Sequence, residues 1–249
     1  MPKQRGNLRI EGTVYGMTFY RMNNKDYLRS KRNVTREQIL NEPKFASARE
    51  NGNEFALASK SGKLLRDVVK GMFKEAGRSS SAKKVMRVMM NFREADVFSE
   101  RGKRNIGIAI ADIKAKAMLK GFEFNYKSQV SNILFKPYTV DIASGKISIN
   151  NLIPIRDITF PAGATYLTLR GAYANVNFAE GMSAIEYTDA VNLIIDGTST
   201  KITLMPNGTP AGTGTKLYFL QIDFFQLVNG MQYELNNGSY NALVIAEVT

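Results

Sequence analysis

The sequence predicts an α+β protein: an N-terminal β-hairpin plus a basic α-helical module, followed by an antiparallel β-sandwich of immunoglobulin-like or jelly-roll type. Three observations carry this. Residues 1–127 hold 28 Lys+Arg against 13 Asp+Glu, whereas residues 128–249 hold 6 against 9, giving net charges of +15 and −3. From Phe45 to Met72 small and apolar residues recur at steps of three and four, the helical period, and Ala82–Phe92 carries a second amphipathic pattern. From Lys146 onward, short β-branched and aromatic runs alternate with Asn-Gly and Asp-Gly pairs, the chemistry of hairpin turns. The break in charge sets two expected domains, 1–127 and 128–249.

In order along the chain, Asn7 to Arg32 reads as a hairpin or three-stranded meander. Leu8, Ile10, Thr13, Tyr15, Thr18 and Tyr20 fall among Gly12, Gly16 and Asn23–Asn24. Arg21, Lys25, Arg29, Lys31 and Arg32 cluster near its second turn, either as a charged edge that discourages pairing or as a phosphate-contacting arm. Thr35 with Gln38 forms a capping box that starts a helix. Glu42-Pro43 restarts one, since Pro at the first position loses no needed donor. Phe45, Ala48, Gly52, Phe55, Ala58, Gly62, Leu65, Val69 and Met72 then mark one face of a long helix, or of two joined near Ser59–Gly62. Gly52 and Gly62 on that face predict close approach of another backbone, or a kink.

Gly77 with Arg78–Ser81 reads as a helix stop and loop. Ala82 to Phe92 follows as an amphipathic helix with Val85, Met86, Met89 and Phe92 on one side. Phe98–Asn105 reads as a charged loop, Ile106–Leu119 as a helix capped by Gly121, and Phe122, Phe124 and Tyr126 as a strand. The second half predicts strands at Lys146–Leu152, Thr165–Phe178, Ala190–Ile195, Lys201–Met205, Lys216–Val228, Met231–Leu235 and Ala242–Val248. Asp196-Gly197, Asn207-Gly208, Asn229-Gly230 and Asn237-Gly238 supply the turns between them.

The composition narrows function. There is no His and no Cys. Ser-His-Asp and Cys-His nucleophiles, thiolate and imidazole metal sites and disulfides are thereby excluded, leaving carboxylate or Lys chemistry. SKSGK lacks the other positions of a phosphate loop, and Ser81-Ala-Lys-Lys84 lacks the companion motifs of acyl-transfer enzymes. Glu94, Asp96 and Glu100 lack calcium-loop spacing and read as a solvated face. No enzyme activity, cofactor or metal is expected. The chain shows no apolar run of membrane-span length and no recognisable leader, so the expected location is cytoplasmic.

TREQILNEPKFASARENGNEF…KSGKLLR, the opening GTVYGMTFY, RGKRN followed by LKGFEFN, and the closing FFQLVNGMQYELNNGSYNALVIAEV together resemble a widespread family of uncharacterised bacterial proteins, chiefly from the Bacteroidota, over the whole length. The resemblance implies no activity, ligand or residue role. Two departures stand out: Glu42 replaces an Asp before the Pro, a weaker cap, and Lys103 replaces a neutral residue.

Two groups of side chains remain as candidates. One is a cationic set for a polyanion: Lys60, Lys63, Arg66, Lys70, Lys74, Arg78, Lys83, Lys84, Arg87, Arg93, Arg101, Lys103 and Arg104. Aromatics are sparse among them, so they suit backbone rather than base recognition. The other is the polar group Arg49, Glu50, Asn51, Asn53 and Glu54. Glu50 and Glu54 lie one turn apart and repel unless each finds a cation, so the group is expected to pin hairpin and helices together. The leading functional expectation is a non-enzymatic structural protein that self-assembles into a homo-oligomeric ring, filament or shell. Its oppositely charged halves favour head-to-tail contacts. The alternative is a sequence-tolerant nucleic-acid-binding protein using the basic half. A carbohydrate-binding sandwich is disfavoured by the absence of Trp and of an export signal.

Overall fold

Left-handed backbone at two turns shapes the start of the chain. The computed structural model describes residues 10–30, 34–72 and 75–249, with the backbone alone over 75–80. Expectations that involve Leu8, Lys31, Arg32, Lys74 and the Arg78 side chain lie outside the described residues. The chain separates into two units, Met1–Arg49 and Glu50–Thr249.

In the first unit, β1 (Gly12–Val14), β2 (Met17–Met22) and β3 (Lys25–Ser30) form an antiparallel meander. Tyr15–Gly16 and Asn23–Asn24 all have positive φ, which gives two-residue turns whose twist matches the flanking strands. The capping box at α1 (Arg36–Asn41) forms as expected: the Gln38 amide N–H donates to Thr35 Oγ1 at 3.2 Å, and the Thr35 N–H donates to Gln38 Oε1 at 2.9 Å. Pro43 opens a single 3-10 turn, Pro43–Phe45, for which Glu42 makes no side-chain cap bond. None of the described residues 10–30 and 34–49 is buried.

α2 (Ala46–Val68) is one continuous helix. α3 (Glu75–Ala95) corrects the sequence reading: the expected stop at Gly77–Ser81 is helical. Gly and Ser lower helix propensity by less than about 1 kcal/mol each, a cost that an apolar face of Val85, Met89 and Phe92, all fully buried, readily offsets. The expected helix Ile106–Leu119 divides into α4 (Ile106–Ala109) and α5 (Ile113–Leu119). Asp112 accepts from the Lys114 N–H at 2.6 Å and so starts a new helix in mid-pattern. Gly121, at φ +77°, closes α5 as expected. Phe122 and Phe124 are buried, but the segment meets its neighbour through an isolated bridge, Glu123 to Val244, rather than as a strand. α6 (Val130–Ile133) and α7 (Pro154–Asp157) are single turns.

β4 (Thr139–Val140), β5 (Ile147–Leu152) and β9 (Thr200–Leu204) make a small antiparallel sheet. The larger sheet is centred on β6 (Tyr166–Asn177) and β10 (Thr215–Val228). β7 (Met182–Tyr187) and β8 (Val191–Ile194) pair with the outer side of β6, and β11 (Met231–Glu234) and β12 (Ala242–Val248) with that of β10. All seven expected strands form. β4 and β7 were not legible, because Thr-Val is too short and Met-Ser-Ala-Ile-Glu-Tyr lacks a β-branched run.

The large sheet is covered on both faces. Leu167, Leu169, Leu220, Ile222 and Phe224 pack against Ile147, Ile149, Ile202 and Leu204 of the small sheet, the sandwich-like region. Ala172, Ala174, Val176, Leu217, Phe219 and Ile245 pack against Leu65, Val85, Met89, Phe92 and Leu119 of the helices. Burial on both sides explains why β10 and β12 read as nearly unbroken apolar runs. It also relocates the division of the chain. The charge break at 128 crosses one shared core, and the units part after Arg49 instead, because surface charge records solvent exposure rather than which elements share a core.

Candidate interaction surfaces

The polar group on α2 is resolved around Glu54. Helical phase turns this carboxylate into the protein, where it is 2% exposed. Glu54 Oε1 accepts the Gly102 N–H at 2.7 Å, Arg93 Nη1 lies 3.2 Å from Oε2, and Arg104 Nε lies 3.9 Å from Oε1. Glu50 pairs with Arg101 at 3.2 Å, and Asn51 Oδ1 accepts from Arg101 Nη2 at 3.4 Å. Each glutamate therefore has its cation, as their repulsion requires, but the partners come from α3 and the 96–105 loop. The network joins α2 to α3 and to that loop. Of the group's five residues, Arg49 turns the other way, donating to the Ile39 and Glu42 carbonyls at 2.7 and 2.9 Å. Asn53 is exposed. Sequence spacing identified the carboxylates but not partners about 40 to 50 positions away.

The loop that meets Glu54 is itself built on Asp96. Its Oδ1 accepts the Phe98 and Ser99 amides at 3.1 and 3.0 Å, and its Oδ2 accepts the Asn105 amide at 2.8 Å. Burial works to raise the Asp96 carboxyl, but the Asn105 amide, the Ser99 hydroxyl and the Ser99 and Phe98 amides outweigh it and hold its pKa below the ordinary value. Asp96 is thus a loop organiser, and the reading of Glu94, Asp96 and Glu100 as a solvated face holds for Glu94 and Glu100 but not for it. The loop presents Phe98, 87% exposed, beside Arg101 and Lys103.

The two glycines behave differently. A Cβ on Gly62 would lie 3.3 Å from Val85 Cγ1 and 3.5 Å from Met89 Cγ, so what approaches it closely is α3 side chains rather than the backbone that the sequence predicts. Among the described residues a Cβ on Gly52 would meet nothing within 4 Å, and Phe55 beside it is 54% exposed, so close packing at Gly52 is corrected. Glu54 takes the buried phase in the first half of α2, and Gly52 lies outside it.

Of the cationic set, Lys60, Lys63, Lys70, Lys83, Arg87, Arg101 and Lys103 are exposed. Lys84 is committed elsewhere, donating to the Glu123 carbonyl at 2.9 Å and lying 5.2 Å from the Phe122 ring centre. Arg93 and Arg104 belong to the Glu54 cluster, and Arg66 is half-buried beside Gly62. A cleft of about 460 Å³ beside β6 and β10 is lined by Lys116, Asn177, Thr215 and Lys216 among others. Among the described residues, Lys116 and Lys216 are the ionisable side chains that line it.

The meander carries two dissimilar faces, which sequence reading did not separate because their residues interleave. The register sets Val14, Met17, Phe19 and Leu28 on one face, where Arg21 and Asp26 also form an ion pair at 3.8 Å. Thr13, Thr18, Tyr20, Met22, Lys25, Tyr27 and Arg29 share the other. Tyr20 and Tyr27 stack with ring centres 5.8 Å apart, and the Arg29 guanidinium lies 5.3 Å from the centre of the Tyr20 ring.

Fold and surfaces together define an α+β protein with a β-sandwich-like region and a small basic meander unit. Among the described residues, no helix is long and apolar enough to cross a membrane. No protein-family model, curated protein or solved structure matches the chain.

Proposed function

We propose that the chain is a non-enzymatic structural protein that assembles into homo-oligomers, the apolar face of its meander packing on a second copy. The observation that carries this reading is that Val14, Met17, Phe19 and Leu28 share a face and none of them is buried. A three-stranded sheet becomes stable by covering a hydrophobic face, and each large side chain so covered contributes about 1.5–3 kcal/mol.

A second copy supplies a complementary surface. Residues 1–49 contain 11 Lys+Arg against 4 Asp+Glu. Residues 178–200 contain Glu180, Glu186, Asp189 and Asp196 and no Lys or Arg, and they include β7 and β8, outer strands of the large sheet. Contact between two unlike patches is heterologous, which yields rings or filaments. The lack of His and Cys supports a role without catalysis.

Size-exclusion chromatography with light scattering across protein concentration and salt tests the reading. The wild type is expected to form oligomers that weaken with salt, and F19D/L28D is expected to run as a monomer. A wild type that is monomeric at every concentration overturns it, including by folding the meander onto its own chain.

A further inference from the structure

We infer that the other face of the meander binds single-stranded nucleic acid, an activity that stands independently of assembly. On the apolar face the one strand cation, Arg21, is matched by Asp26. The opposite face carries Lys25 and Arg29, both exposed, and no acidic strand residue. Alternation along β2 and β3 has sorted the carboxylate to one side and two cations to the other, in a unit whose excess of basic residues suits a polyanion.

The aromatic groups then choose among polyanions. Tyr20 and Tyr27 stand directly opposite each other across β2 and β3, half-buried, their planes 22° apart. The two rings stack on each other across β2 and β3, with Arg29 over the Tyr20 ring and the paired hydroxyls of Thr13 and Thr18, 3.1 Å apart, on the same face, so that a base would extend this stack from its outer side. An acidic peptide would use the cations and leave the rings idle, and a duplex hides its bases. A single strand uses both, stacking bases on aromatic rings while phosphates meet Lys and Arg. The exposed cations of residues 60–103, poor in aromatics, lack this pairing of functions and would serve only for salt-sensitive attraction.

Fluorescence anisotropy of the full chain with a labelled oligothymidylate of about 20 nucleotides tests the site, with the matching duplex as comparison. The single strand is expected to bind more tightly than the duplex at moderate salt. Y20L/Y27L is expected to weaken single-strand binding by roughly tenfold or more, and Y20F/Y27F to retain it, since stacking needs the ring and not the hydroxyl. K25E/R29E, which keeps both rings, is expected to weaken both probes. No binding at low salt overturns the inference. So does equal binding of single strand and duplex that Y20L/Y27L leaves unchanged, which would assign the affinity to charge alone. F19D/L28D is expected to bind the single strand normally, which separates this site from the assembly face.

Discussion

The Gly102 amide donates to the buried Glu54 carboxylate at 2.7 Å, and that bond brings the loop backbone so close to α2 that a Cβ on Gly102 would lie 2.9 Å from Glu50 Cγ and 3.1 Å from Glu50 Cα. Gly102 also holds φ at +88°, a conformation open to glycine at little cost. One residue therefore meets three demands at once: a donor, a left-handed backbone and no side chain.

Glu54→Ala should be among the most damaging single changes. It leaves the Gly102 amide and the Arg93 and Arg104 guanidinium groups without their Glu54 acceptor, and among the described residues the Nε atoms of both arginines already lack a hydrogen-bond partner. Breaking a buried ion pair costs about 3–5 kcal/mol, and the partial exposure of Arg93 argues for the lower end. Gly102→Ala should cost about 1–3 kcal/mol through strain and contact with Glu50. Urea denaturation of each variant measures both.

Gly52 and Gly62 should respond in opposite directions. Gly52→Ala is expected to stabilise by about 0.5–1 kcal/mol, because the site is open and helical. Gly62→Leu is expected to destabilise by about 1–3 kcal/mol through overpacking against Val85 and Met89. The same denaturation series tests the pair, and a neutral Gly62→Leu would refute close packing of α2 on α3.

Asp96→Ala should loosen the 96–105 loop without unfolding the core. Three amides lose their acceptor, a loss of roughly 1–3 kcal/mol concentrated in this segment. Limited trypsin digestion reads it directly, with cleavage at Arg101, Lys103 and Arg104 expected to quicken in the variant while circular dichroism is retained.

Stability should depend on pH through two carboxylates of opposite sign. The Arg156 side chain, the Ile153 amide and the charges of Arg156 and Lys136 hold Asp157 at about 2, against a partly opposing effect of burial. Its contribution is therefore present above the unfolded value of 3.8 and lost as pH falls from there toward 2. Burial raises Glu123 above its ordinary 4.5, and the Ser131 and Val130 amides offset only part of this. The folded state holds that proton more tightly, so the contribution of Glu123 is complete below 4.5 and declines as pH rises through its folded value. Urea midpoints followed from about pH 2 to 7 should lose part of the acid slope in Asp157→Asn, the contribution of Asp96 remaining, and should flatten above 4.5 in Glu123→Gln.

What could be read along the chain was whatever is encoded within a few residues. The Thr35–Gln38 capping box, the Asn229-Gly230 turn at φ +50° and +79°, and the limits of β5, β6, β10 and β12 follow from local hydrogen bonding, backbone preference and period. The charged pair Glu50 and Glu54 announced that each needed a cation. Tertiary structure decided which cations those are, because Arg93, Arg101 and Arg104 approach only when α3 and the Asp96 loop fold back on α2. It decided that the segment around Gly77 is helical, that Gly62 is packed and Gly52 open, and that one sheet serves two cores. The sequence by itself determined the elements and their polar needs. The meeting of distant surfaces is settled by burial and strand register across the whole chain, and no local window contains that information.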